Sequence, residues 1–235
     1  MGCKNEKLEE QMIKNTKEIE AVAYSSRGDE KRCLGDHKGA IEDYNKAIGL
    51  NPKEVDAYLG RGIAKSNLGD HTGAIKDLDK VIKADPEIVI AYKNRGLAKL
   101  ELGDYSGSIQ DINKAIELNP KDASDYICRG LAKYKLGDHK GAVEDFNKAI
   151  NLDSKDADVY TARGDAKSCL GDYASAIQDY NKSIELDFKL AEAYFSRGLA
   201  KNKLEDKQGA LEDLNKAGEL GYSQAYEQIK KIQWE

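Results

Sequence analysis

The sequence predicts an all-α fold, a right-handed α-solenoid of six tandem helix-turn-helix repeats with a lead-in helix and a capping helix. Three observations predict it. A tyrosine recurs every 34 residues, an arginine and a glycine follow each tyrosine at fixed distances, and a turn signal divides every period into two helix-forming runs. A strict period of this length is typical of one supersecondary unit stacked on copies of itself. The tyrosines are Tyr24, Tyr58, Tyr92, Tyr126, Tyr160 and Tyr194.

Each period is predicted to form a helical hairpin, and the second period is representative. Residues 57–68 favour a helix that ends at Gly69 and Asp70, because glycine suits the position after a helix and aspartate caps the next one. A second helix is expected over 72–84, since the residue before Pro86 avoids helical geometry. The array is assigned to 21–222. Its units lie at about 21–54, 55–88, 89–122, 123–156, 157–190 and 191–224.

The later repeats and the two termini depart from the pattern. Ser154, Phe188 and Tyr222 replace the proline, and Glu205 replaces the turn glycine of the sixth repeat. Residues 1–20 have a helix-forming composition but no period, which predicts a lead-in helix. Residues 223–235 are predicted to form a capping helix, because Ala225, Ile229 and Ile232 share one helical face.

Small, aromatic and aliphatic residues stand at fixed positions of each period. In the second period these residues are Tyr58, Gly62, Ala74, Leu78, Val81 and Pro86. The pattern is similar to the signature of the tetratricopeptide repeat (TPR) family, which the chain resembles over residues 21–226. The resemblance implies a concave groove lined by the first helices of the hairpins.

All six repeats carry an arginine where the family usually carries an aliphatic residue. At about 100° per residue, Arg61 falls in the packing arc between Tyr58 and Leu68, so its charge needs a partner. An aspartate stands sixteen residues later in every repeat. We interpret the two series as a structural ion-pair ladder, within a repeat or across to the next; an anion-binding stripe is the alternative. The middle pairs are Arg61 and Asp77, Arg95 and Asp111, and Arg129 and Asp145.

The opposite face of each first helix varies between repeats, and by resemblance to the family it lines the groove. An apolar strip is predicted along repeats two to four, and an exposed strip of this length usually marks an interaction surface. The alternative is that curvature of the array tucks some of these residues against neighbouring helices. The candidate groove residues are Leu59, Ile63, Lys93, Asn94, Leu97, Leu100, Ile127, Leu131, Tyr134, Phe195 and Leu199.

The sequence indicates neither an enzyme nor a metal or cofactor site. His37, His71 and His139 share one turn position, and the four cysteines form no CxxC pair. The 42 acidic and 37 basic residues are well mixed and leave a net charge of −5, so nucleic acid is not an expected partner. No apolar run has the length of a transmembrane segment.

Residues Met1, Gly2 and Cys3 allow two interpretations of localisation. Glu6 stands where a myristoylation motif needs serine or threonine. Gly-Cys followed by polar residues is similar to a mature bacterial lipoprotein anchored at Cys3, but no hydrophobic segment precedes it in the sequence. A cytoplasmic protein is the favoured interpretation.

The leading functional hypothesis is a non-catalytic adaptor that holds a peptide or helix of a partner protein in the groove. The alternative is a structural protein that assembles with copies of itself. TPR proteins that bind Hsp70 or Hsp90 tails carry a lysine and an asparagine four residues apart on a groove helix. Here Lys93 is followed by Leu97, so this carboxylate clamp is not expected.

Overall fold

The computed structural model of the protein describes residues 2–152 and 155–234, and their side chains except those of residues 2–8 and 10. Met1, Ser154 and the side chain of Cys3, on which earlier predictions rest, lie outside the described part. Described residues form helices and connecting turns and no strand. The helices are α1 (Gly2–Cys33), α2 (His37–Leu50), α3 (Val55–Asn67), α4 (His71–Ala84), α5 (Val89–Glu101), α6 (Tyr105–Leu118), α7 (Ala123–Lys135), α8 (His139–Asn151), α9 (Ala157–Cys169), α10 (Tyr173–Leu186), α11 (Ala191–Lys203), α12 (Lys207–Glu219) and α13 (Gln224–Trp234).

The chain divides into two compact units after Leu118. In the first unit, α1 to α6 form three hairpins; α2 also packs on α3, and α4 also packs on α5. In the second unit, α7 to α12 form three hairpins in the same way, and α13 packs on α12. The predicted all-α fold class, built from helical hairpins, is thus confirmed.

The core of each unit is thin because glycine and alanine let helices approach closely. Tyr44 is fully buried between α1 and α3. A Cβ placed on Gly28 would lie 2.7 Å from a carbon of the Tyr44 ring, and one placed on Gly60 would also collide with that ring. Both positions therefore require glycine, which explains part of the repeated signature.

The predicted turns within the hairpins are present. In the second repeat the helices end within two residues of the prediction, and Gly69 adopts a φ of +84°, the left-handed conformation that glycine accepts without strain. Asp70 then caps α4, because its carboxylate accepts a hydrogen bond of 2.9 Å from the amide of Gly73.

The sixth turn keeps the same geometry without the glycine. Glu205 has a φ of +66°, and it is the one non-glycine residue with positive φ among residues 2–152 and 155–234. Its amide donates a hydrogen bond to the carbonyl of Asn202. The carboxylate of the next residue, Asp206, caps α12 by accepting a hydrogen bond from the amide of Gly209. The surrounding hydrogen bonds therefore hold a glutamate in a conformation that costs about 1–2 kcal/mol for an L-residue.

We expect Glu205→Gly to raise the free energy of unfolding by about 0.5–1 kcal/mol, because relief of the left-handed conformation exceeds the added backbone entropy of glycine. Urea denaturation measures the change. The matched control is Gly171→Glu, at a turn with φ of +83°, which should lower stability by a similar amount. Equal stability of Glu205→Gly and the wild type would contradict the expectation.

The predicted terminal segments are arranged as follows. Residues 2–20 belong to α1, which continues without a break into the first helix of the first repeat. The lead-in segment is therefore the N-terminal part of α1, and Ala21 is the first buried residue of α1 within the described side chains. At the other end, α13 buries Ala225, Ile229 and Ile232 in one cluster with Leu214 of α12.

Candidate functional site

The arginines of the ladder each bind the aspartate of their own repeat. Arg61 donates from Nε and Nη2 to the two carboxylate oxygens of Asp77, at 2.8 and 2.7 Å. The same two-pronged contact joins Arg95 to Asp111 and Arg129 to Asp145. The remaining pairs with this contact are Arg27 and Asp43, Arg163 and Asp179, and Arg197 and Asp213.

A lysine in each repeat completes the contact. Lys65 Nζ lies 2.7 Å from the Asp77 oxygen that Arg61 Nε also contacts. Burial opposes ionisation of Asp77, which is only 3% exposed, but the bonds from Arg61 and Lys65 outweigh burial and lower its pKa. The other lysines at this position, at 2.7 to 2.8 Å, are Lys31, Lys99, Lys133, Lys167 and Lys201.

A third contact links neighbouring repeats, and sequence reasoning missed it. Arg61 Nη1 donates at 2.6 Å to Asn45 of the preceding repeat, and Arg95 donates in the same way to Asp79. Arg163 and Arg197 have equivalent partners in Asn147 and Asn181. The signal was available, since an asparagine or aspartate recurs at this position with the period of 34. In these four arginines the Nε, Nη1 and Nη2 groups thus all donate hydrogen bonds within the protein, which favours a structural role over an anion-binding stripe.

The first unit holds six of the candidate groove residues. Leu97 is 43% exposed, while Ile63, Lys93 and Leu100 are half-buried. Leu59 packs against the core cluster of Tyr58, Leu78, Val81 and Ala91, and Asn94 donates at 2.7 Å to the carbonyl of Ile90 on its own helix. Leu97 is therefore the most open apolar side chain of this group.

The second unit contains a cleft of about 480 Å³ between the first helices of its three repeats. The walls of the cleft carry apolar groups, a hydroxyl, carboxylates and one lysine. They are Leu131, Tyr134 and Lys135 of α7, Asp158, Thr161, Ala162 and Asp165 of α9, and Glu192 of α11. A smaller cavity of about 190 Å³ shares Tyr134 and Asp165 with the cleft and is lined also by Leu199.

Two other candidates of the second unit lie differently. Phe195 packs against the cluster of α12 and α13, and its ring centroid is 4.7 Å from that of Tyr222. Ile127 is half-buried and does not line the cleft. The structure therefore brings together Leu131, Tyr134 and Leu199, and places Phe195 against the C-terminal helices.

A buried polar pair beneath the cleft was not predicted from sequence. The hydroxyl of Tyr180 donates at 2.8 Å to Asp165 and lies 3.1 Å from Ser168 Oγ. Burial raises the pKa of Asp165, Glu192 adds to the effect, and hydrogen bonds from Tyr180 and Ser196 oppose it. Tyr134 lines the smaller cavity together with this pair, and its hydroxyl lies 3.7 Å from Cys169 Sγ. The cleft floor therefore combines aromatic surface with a carboxylate that is costly to bury.

Neither a metal centre nor a membrane span is found in the described residues. No three side chains among histidine, cysteine, aspartate and glutamate there are placed to hold a metal ion. No helix in residues 2–152 and 155–234 combines the length and apolarity needed to cross a bilayer. His37, His71 and His139 begin second helices next to their turns.

Models of TPR families match most of the chain. One described as TPR repeat matches residues 28–69, 130–168 and 170–205, and two described as tetratricopeptide repeat match 89–122 and 55–88. No curated protein matches the chain significantly.

Several solved structures are similar to this chain. MamA is 29% identical, with a TM-score of 0.66 over 74% of this chain and 94% of its own. A tetratricopeptide repeat protein from Parabacteroides merdae is 25% identical, with a TM-score of 0.63 over 91% and 84%. YrrB, described as a TPR protein with an unusual peptide-binding site, is 22% identical, with a TM-score of 0.69 over 81% of this chain and 99% of its own. At that identity it shows the fold alone. The period, the hairpins and these matches agree, and the chain belongs to the tetratricopeptide repeat family.

Proposed function

We propose that the protein is a non-catalytic scaffold that holds a peptide or a helix of a partner protein against its first helices. The cleft of the second unit carries this proposal. Its walls come from three consecutive first helices, so an occupant would contact three repeats at once. A few polar groups placed in a partly apolar concavity are typical of a binding site.

The charges of the cleft favour a cationic residue in the bound peptide. Asp158, Asp165 and Glu192 line it, against a single lysine, Lys135. A lysine or arginine side chain entering the cleft would lie near three carboxylates, while Leu131 and Tyr134 would contact the apolar part of its stem. Complementary charge of this kind selects partners and directs their orientation.

Selection from a random peptide library on the purified protein tests the proposal. We expect the selected peptides to be enriched in lysine or arginine beside apolar residues. Leu131→Lys should weaken their binding by about tenfold or more, because it removes an apolar contact and adds a charge of the same sign as the bound lysine or arginine. The matched control is Leu136→Lys, since Leu136 is exposed at the end of the same helix and does not line the cleft.

The binding and stability of the two variants must be compared together. Thermal melts within a few degrees of the wild type show that Leu131→Lys has not unfolded the second unit. Leu97→Lys tests the first unit in the same assay. Equal peptide affinity for Leu131→Lys, Leu136→Lys and the wild type would count against the cleft as the binding site.

Self-assembly is the second candidate function, and an exposed stripe on α1 favours it. Met12, Ile19 and Val22 are 62%, 71% and 52% exposed. With Leu8 and Asn15 they follow the alternating spacing of three and four residues that is typical of helices that pair side by side. A second copy of the chain would supply a helix with the same stripe.

We expect Met12→Glu combined with Ile19→Glu to abolish any concentration-dependent association, because the two charges would face each other across the paired stripes. Light scattering over a wide concentration range measures the molecular mass. Leu34→Glu serves as the control, since Leu34 is 85% exposed but lies at the turn after α1. A wild-type protein that stays monomeric at every concentration removes this candidate.

A further inference from the structure

The first unit contains a pocket of about 580 Å³ that the groove does not include. It lies between the α2–α3 connection, the start of α3 and the end of α4. Its lining is an apolar floor with three lysines at the rim: Pro52, Lys53, Val55, Tyr58, Lys80, Lys83 and Ala84.

The lysines of this pocket break a pattern that other repeats keep. At the position of Lys80, the third, fifth and sixth repeats carry a lysine that pairs with a glutamate three residues later. Those pairs are Lys114 and Glu117 at 3.0 Å, Lys182 and Glu185 at 2.9 Å, and Lys216 and Glu219 at 3.3 Å. In the second repeat the residue three positions after Lys80 is Lys83, so two like charges stand on one helix face, and like-charge neighbours of this kind destabilise a helix.

In the structure, Lys80 contacts an aromatic side chain, and the three lysines have no carboxylate partner among the described residues. Lys80 Nζ lies 3.3 Å from the hydroxyl of Tyr58 and 4.4 Å from the centre of its ring. In the part of the chain that the structure describes, none of the three lysines forms an ion pair. The carboxylates nearest to the three lysines along the chain have other partners: Glu54 accepts a hydrogen bond from Asn51, Asp79 pairs with Arg95, and Asp85 accepts from the amide of Glu87. Lys83 alone could be explained by the dipole of α4, but the convergence of three lysines on one apolar pocket could not.

We propose that this pocket binds a carboxylate side chain of an acidic, partly apolar peptide of a partner protein. The three ammonium groups supply the complementary charge, and Pro52, Val55 and Ala84 supply contact area for an adjacent apolar side chain. A carboxylate fits better than a phosphate dianion, because the floor is apolar and desolvation of two charges would cost more. No arginine, the side chain that binds phosphate in two-pronged fashion, lines the pocket.

Fluorescence anisotropy with three labelled peptides of the same length tests the proposal. The probes carry Phe-Glu-Glu-Leu, Phe-Gln-Gln-Leu or Phe-phosphoserine-Gln-Leu at the centre of a neutral sequence. We expect the glutamate peptide to bind at least about tenfold more tightly than the glutamine peptide, and more weakly at higher salt. Equal binding of these two peptides, or tighter binding of the phosphoserine peptide, overturns the proposed carboxylate site.

Two variants of the same helix locate the binding. Lys83→Glu restores the lysine–glutamate spacing of the third, fifth and sixth repeats, so the fold has precedents for it within the chain. Lys76→Glu makes the same charge change at an exposed position of α4 outside the pocket. We expect Lys83→Glu to weaken binding of the glutamate peptide by about tenfold and Lys76→Glu to change it by less than about twofold. Equal effects would show that long-range charge alone attracts the peptide, and the pocket would lose its support. Neither variant touches the cleft of the second unit, so this test and that of the groove fail independently.

Discussion

Replacement of Asp77 by alanine is expected to lower the free energy of unfolding by about 3–5 kcal/mol, as is typical when one partner of a buried ion pair is removed. Asp77 accepts from both Arg61 and Lys65, whose side chains are only 15% and 22% exposed. Without the carboxylate, Arg61 keeps its bond to Asn45 and its position over the Tyr58 ring, and Lys65 loses its partner. Urea denaturation gives the size of the loss, and hydrogen exchange should place it in α3 and α4.

Asp111→Ala provides a matched comparison in the next repeat. Arg95 also contacts Asp79, at 2.6 Å, and this second carboxylate remains when Asp111 is removed. We therefore expect Asp111→Ala to cost about 1 kcal/mol less than Asp77→Ala. If both variants retained wild-type stability and exchange protection, the ladder would be a solvated charge pattern, and the arginines would need another explanation.

Removing all three charges together should cost less than removing the aspartate alone. In the triple variant Arg61→Leu, Lys65→Leu and Asp77→Leu, no charge is left without a partner and the new side chains are apolar. A triple variant less stable than Asp77→Ala would mean that packing of the long side chains, and not their charge, stabilises this contact.

The hairpins could be predicted from the sequence because each depends on local chemistry that recurs six times. Glycine and aspartate fix the turns, and the small residues of the signature fix which faces touch. The local sequence does not mark the boundary at residue 20. Residues 4–27 contain neither glycine nor proline, so α1 runs through this position without a break, and only the start of the 34-residue period sets the lead-in segment apart.

The candidate site could be predicted only in part, because the solvent exposure of a side chain depends on how neighbouring helices pack, and the period does not specify this. The charge of Arg61 within an apolar arc required a partner, which pointed to Asp77. The bond to Asn45 depends on how closely consecutive hairpins approach. In the same way, the helical periodicity placed Leu131 and Phe195 on the same face of their first helices. Only the structure shows that Phe195 packs against Tyr222 while Leu131 lines a cleft.

Two positions within each repeat, one on the first helix and one on the second, vary together, and in the fifth repeat this pair connects the core to the cleft. Where the second helix carries a buried tyrosine, as with Tyr44 and Tyr180, the first helix carries an aspartate that accepts its hydroxyl, at 2.7 and 2.8 Å. The other four repeats pair an apolar residue with an apolar residue: Leu78 with Ile63, Ile112 with Leu97, Phe146 with Leu131, and Leu214 with Leu199. A buried hydroxyl needs an acceptor, so the two positions vary together.

Asp165→Leu should therefore lower the free energy of unfolding by about 1–3 kcal/mol, because it removes the acceptor of a hydroxyl whose residue is only 1% exposed. Adding Tyr180→Phe should restore most of the loss, since the pair then matches Leu131 and Phe146 of the preceding repeat. Chemical denaturation of the two single variants and the double variant gives the coupling energy directly. Additive losses, with no rescue in the double variant, would show that Asp165 does not act through Tyr180, and that its burial at the cleft floor has another cause.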